Sequence, residues 1–109
     1  MSMHRQWFQE RLFKLQQDYG ILTYYEGSKL VAHWISNLDE GAVRTLYNYL
    51  QKLPHAAFLY VTYRYTFWFF NEASSKWDVR NPSAALVSVI RYTYWCDEEF
   101  QKEFLSDDS

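Results

Sequence analysis

Along residues 3–19 the apolar positions keep helical time. Phe8, Leu12, Leu15 and Tyr19 stand four, three and four apart, and Trp7 and Phe13 broaden the stripe. Gly20 sits where a left-handed C-terminal cap belongs. The period then shortens. Ile21–Glu26 and Lys29–Ile35 flank Gly27-Ser28, which predicts a hairpin with a type II′ turn and Glu26 opposite Lys29. Lys29–Ile35 would equally serve as the start of a helix. Residues 38–53 return to helical spacing through Val43, Leu46, Leu50 and Leu53. Asn37 is the expected cap, Glu40 its capping-box partner, and Pro54 stops the chain beyond.

Ala57–Phe70 is β-branched and aromatic throughout, with no turn residue inside it, and reads as one long strand. A second arm near residues 76–79 follows the polar loop 72–75. Asn81-Pro82 opens a further helix, with Asn as cap, Pro in the first turn, and Ala85, Leu86, Val89 and Ile90 as its apolar face. That helix is expected to break near Cys96 and resume over Asp97–Leu105, where Phe100 and Phe104 lie one turn apart. Strand-forming residues are also dense in Val87–Trp95, which competes with the helical reading.

Helix, hairpin, helix, hairpin, helix is the resulting order. It predicts an α+β fold: a two-layer sandwich in which an antiparallel sheet of about four strands, made of two hairpins, carries helices packed on one face. The expectation is one compact domain over residues 1–109, ending in an acidic helix and tail at about residues 97–109.

Composition sharpens this picture at one point. Of 109 residues, 23 are aromatic (Trp 5, Tyr 10, Phe 8), more than a core of this size readily absorbs. Eight of them lie in Ala57–Phe70. Alternation puts Ala57, Leu59, Val61, Tyr63, Tyr65, Phe67 and Phe69 on a core-facing side of that strand. The opposite side holds Phe58, Tyr60, Arg64, Trp68 and Phe70, with Thr62 and Thr66. An arginine among rings can fork onto an anion or stack on an aromatic face, and Tyr, Trp and Arg are the residues enriched at interfaces. The competing reading covers this side with a terminal helix and pairs Arg64 with a carboxylate of the tail.

Charge is unevenly placed. The formal net charge is −2, yet residues 95–109 hold six acids against Lys102, a balance of −5, while residues 1–94 hold 10 bases and 7 acids. The acidic segment reads as a solvated helix and tail, or as an arm that competes for a basic site on the body. The single Cys96 excludes an intrachain disulfide framework and fits a reducing compartment. Residues 1–7 lack the apolar run of a secretory signal, and 56–70 is too short and too interrupted to span a bilayer. These features predict a cytoplasmic protein without a membrane anchor.

Catalytic signatures are poor. His4, His33 and His55 lie 29 and 22 residues apart, without metal-ligand spacing, and Cys96 has no neighbouring Cys or His in sequence. Tyr25 and Lys29 match a Tyr-x-x-x-Lys spacing but flank a tight turn with no dinucleotide-binding unit. Asp97, Glu98 and Glu99 fall at a helix start, where carboxylates favour the dipole. There is no glycine-rich phosphate loop, nucleophile elbow or zinc-protease motif. No catalytic residue, metal site or cofactor is expected.

The reading is therefore a small non-catalytic interaction protein of inhibitor, immunity-protein or accessory-subunit type. It would bind a protein partner, or a second copy of itself, through Phe58, Tyr60, Arg64, Trp68 and Phe70. Compactness suggests a bacterial or phage origin. The alternative is a module that stacks a nucleotide or single-stranded nucleic acid on the same rings beside Arg64. Against it stand the scattered bases and the absence of glycine from Ala57–Phe70.

Overall fold

The protein is described here from a computed structural model, over residues 2–19, 33–71 and 80–106. Helix α1 (Met3–Tyr19) starts at Ser2, whose hydroxyl accepts from the Arg5 amide at 3.1 Å. Phe8, Leu12 and Leu15 are buried on one side of it, as the spacing predicts. Residues 33–36 are helical, and Ile35 and Leu38 drop into the core. Helix α2 (Glu40–Leu50) buries Ala42, Val43, Leu46 and Leu50. Its cap is Asp39, accepting from the Ala42 amide at 2.8 Å, rather than Asn37. Asn37 instead donates to the His33 carbonyl at 2.8 Å, and Glu40 pairs with Arg5 at 2.8 Å. Arg5 also reaches the Leu38 carbonyl, so one guanidinium ties the start of α1 to the start of α2.

Helix α3 (His55–Asn71) overturns the sandwich expectation, because it is the segment read as a long strand. Its buried residues are Ala57, Phe58, Val61, Thr62 and Tyr65, a helical stripe rather than an alternation. Strand propensity is a preference for half-buried pleated packing, and tertiary contacts override it. The threonines are accommodated because their hydroxyls bond back into the helix. Thr62 donates to the Phe58 and Leu59 carbonyls and Thr66 to that of Thr62. Tyr65, fully buried, donates to the Pro82 carbonyl at 2.9 Å and so fixes α3 against the start of the next helix.

Helix α4 (Pro82–Cys96) opens where Asn81-Pro82 predicts, with the Asn81 side chain accepting from the Ala84 amide at 3.0 Å. The strand-rich run Val87–Trp95 is helical too, with Leu86, Ile90 and Thr93 buried. At Asp97 the chain breaks and resumes as α5 (Glu98–Phe100), which continues as a π-helical turn, Gln101–Leu105.

Among the described residues there is no strand, and the fold is a small all-α helical bundle rather than an α+β sandwich. Helix α1 packs on α2 and α3, while α4 packs on α2 and α3, so one core runs through all four helices. Of the two expected hairpins, residues 20–32 and the arm at 76–79 lie outside the described residues. The end of the first hairpin's second arm, residues 33–35, is helical.

Candidate functional site

Four residues separate Tyr60, Arg64 and Trp68, and that interval is close to one helical turn as well as two strand repeats. The three therefore stay on one side of α3 although the element changed. Phe58 does not join them. It is 1% exposed and packs in the core against Trp7, Phe8 and His55, with ring centroids 5.9, 6.2 and 6.0 Å away. The Phe70 side chain lies outside the described residues. Trp68 is half-buried against the core and borders an open groove.

Tyr60 and Arg64 converge on Asp97, the residue at the break between α4 and α5. Asp97 is 6% exposed. Its Oδ2 accepts from the Tyr60 hydroxyl at 2.8 Å and from Arg64 Nη2 and Nε at 2.7 and 3.2 Å. Its Oδ1 caps α5 by accepting from the Phe100 amide at 3.1 Å. The guanidinium lies over the Tyr60 ring, 5.7 Å from its centroid, and the same ring meets Phe100 and Phe104 edge-on. Arg64 is thus held by a tail carboxylate, the competing reading of the sequence.

Burial alone would raise the Asp97 pKa. Hydrogen bonds from Arg64, Tyr60 and the Phe100 amide, with the Arg64 charge, outweigh it and bring the carboxyl below its ordinary value. Burial, and then the hydrogen bond to the Asp97 carboxylate, move the Tyr60 phenol in the opposite direction, upward. Tyr60, Arg64 and Asp97 make a structural lock, with a neutral phenol, a permanent cation and a carboxylate that stays ionised at neutral pH. None of the three is poised to exchange a proton with a substrate there.

The open surface lies beside this lock. Along the outer edge of α3, Tyr63 is 58% and Phe67 48% exposed, and Tyr92 of α4 is 63% exposed. Two grooves of about 550 and 620 Å³ meet here, sharing Arg64 and Phe67. One runs between α3 and α4, over Trp68, Ala85, Val89 and Tyr92. The other runs between α3 and the C-terminal turns, over Leu59, Tyr63 and Phe104, and is bordered by Glu99 and Glu103.

Alternation along a strand placed Tyr63 and Phe67 on the buried side, and Tyr92 belonged to no predicted site. The signal that exposes them is length. Fourteen residues without Gly or Pro exceed the usual strand and suit a helix. Read at 3.6 residues per turn, Ala57, Phe58, Val61 and Tyr65 form the inner stripe, leaving Tyr63 and Phe67 one turn apart outside.

Among the described residues, no three His, Cys, Asp or Glu side chains gather where a metal ion could be held. None of the helices described is long and apolar enough to cross a membrane. What the fold and surface define is a small helical bundle with an open aromatic face. Compared with known proteins, the chain matches no family model, and no curated protein or solved structure matches it.

Proposed function

We propose that this protein is a non-catalytic interaction module that engages a macromolecular partner through the face made by Tyr63, Phe67 and Tyr92, with Arg64 and Trp68 at its floor. The observation that carries the reading is the continuity of these residues. Three large rings stand open to solvent around two joined grooves, while Ala57, Phe58, Val61, Thr62 and Tyr65 of α3 are buried on its other side. A contiguous exposed aromatic patch on a small domain is costly in water and generally marks a binding surface. Inhibitor, immunity-protein and accessory-subunit roles, in the cytoplasm, all fit such a surface. Pairing with a second copy is the homomeric version of the same reading.

Nucleotide or single-stranded nucleic-acid binding is less well supported by the same face. Arg64 is already paired with Asp97, and Glu99 and Glu103 border the groove where a phosphate backbone would run.

The test is native mass spectrometry of the protein drawn from its own host, wild type beside the double variant Phe67→Ser/Tyr92→Ser. The wild type is expected to carry an additional polypeptide mass that the variant lacks. Retention of the same partner by the variant, with its helical circular dichroism intact, would refute this face. A wild-type oligonucleotide shift that weakens steeply with salt would replace the reading with the nucleic-acid one.

A further inference from the structure

Leu59, Tyr63 and Phe67 stand at steps of four along α3, a ridge of roughly 12 Å at 1.5 Å per residue. Glu99 and Glu103, also four apart, border the same groove from the C-terminal turns. The cation on its floor, Arg64, is offset by Asp97 at 2.7 Å, so the uncompensated charge along this groove is negative. An apolar ridge beside a row of carboxylates, about two helical turns long, has the form that receives an amphipathic helix. Apolar anchors at i, i+4 and i+7 enter the groove, and cationic side chains flank them.

From this geometry we infer that the α3–C-terminal groove takes a basic amphipathic helix of a partner protein, its leucine-type anchors against Tyr63 and Phe67 and its Lys or Arg side chains against Glu99 and Glu103. The inference rests on the interaction reading above and adds the chemistry of the partner. Charge selects it: an acidic helix of the same apolar pattern would set like charges against Glu99 and Glu103.

Fluorescence anisotropy with two labelled probes tests this, an amphipathic helical peptide of leucine and lysine and its leucine–glutamate counterpart. The wild type is expected to bind the lysine probe and not the glutamate probe. Glu99→Lys with Glu103→Lys should weaken the lysine probe by about tenfold or more and admit the glutamate probe. Glu10→Lys with Glu98→Lys makes the same change in net charge at exposed positions that do not line this groove, and should leave the lysine probe bound. Both pairs of substitutions are at exposed sites, so the comparison does not depend on a core change.

Equal binding of the two probes would overturn the inference, as would equal weakening by the two charge-reversed proteins. Failure of both probes to bind would overturn it as well. A dimer seen by light scattering and dissolved by Phe67→Ser would give the groove to a second copy, overturning the basic-helix assignment while leaving the interaction reading intact. The interaction reading itself fails if Phe67→Ser/Tyr92→Ser keeps its partner in the native mass spectrum, or if the wild type shifts an oligonucleotide with steep salt dependence.

Discussion

Replacing Asp97 by alanine removes one side chain that three groups on two helices share. The Phe100 amide loses its cap, a change costing about 1 kcal/mol. The Tyr60 hydroxyl and the Arg64 fork lose a charged acceptor, and hydrogen bonds to charged groups contribute about 1.5–3 kcal/mol. Arg64 keeps 43% of its side chain exposed and can rehydrate, which places the loss toward the low end. The expected destabilisation is about 2–4 kcal/mol, measured by urea denaturation followed at 222 nm. Asp97→Asn retains an oxygen for the cap and loses the charge, so its cost should be smaller, about 1–2 kcal/mol.

The pH dependence carries its own sign. The folded Asp97 pKa lies below the ordinary value of 3.8. The stability it contributes is therefore complete above 3.8 and is lost as pH falls through the lower, folded value. Wild type and Asp97→Asn should accordingly differ most at neutral pH and converge below pH 3.8. An Asp97→Ala protein within about 0.5 kcal/mol of wild type would refute the lock. So would an Asp97→Asn difference that persists unchanged into acid.

Phe58→Ala empties a core site bounded by Trp7, Phe8 and His55 and should cost roughly 3–5 kcal/mol, read as a large fall in the urea midpoint. Had Phe58 been a surface anchor, the same change would be nearly neutral. Asn81→Ala removes the cap of α4 and should lower stability by about 1 kcal/mol, detectable as a drop in Tm with helical content retained below it. Tyr92→Ser, at an exposed position, should shift stability by no more than about 0.5 kcal/mol while weakening partner binding; a larger loss would mean this ring serves the fold.

Much of the helical framework was legible along the chain. The stripes of α1 and α2, the Asn81-Pro82 start of α4 and the break at Asp97 all follow from side-chain period and cap chemistry acting within a few residues. The cap of α2 shows the resolution of such reading. Asn37 and Asp39 are both competent caps, and the choice fell to Asp39 while Asn37 served the helical turn before it.

The sheet expected over Ala57–Phe70 is a helix instead, and which of its residues face outward changes with it. Val, Thr, Tyr and Phe report a taste for packed surfaces rather than a fixed backbone, so Ala57–Phe70 could be strand or helix until its neighbours were known. Once α1 and α4 cover it, burial of Phe58, Val61, Thr62 and Tyr65 on one side settles it as a helix. That choice moved Phe58 inward and turned Tyr63 and Phe67 outward. The grouping of Tyr60, Arg64 and Trp68 survived because a spacing of four suits both periods.

The sequence alone therefore determined the buried stripes of α1 and α2, the Asn81-Pro82 start of α4, and that the acids crowd the C-terminal end. Tertiary structure decided the rest: that Arg64 meets Asp97 across 33 positions, and which rings remain in water. Caps and periods are short-range properties of the chain. Exposure and ion pairing depend on which helices come to lie beside one another, and a single strand of letters does not carry that information locally.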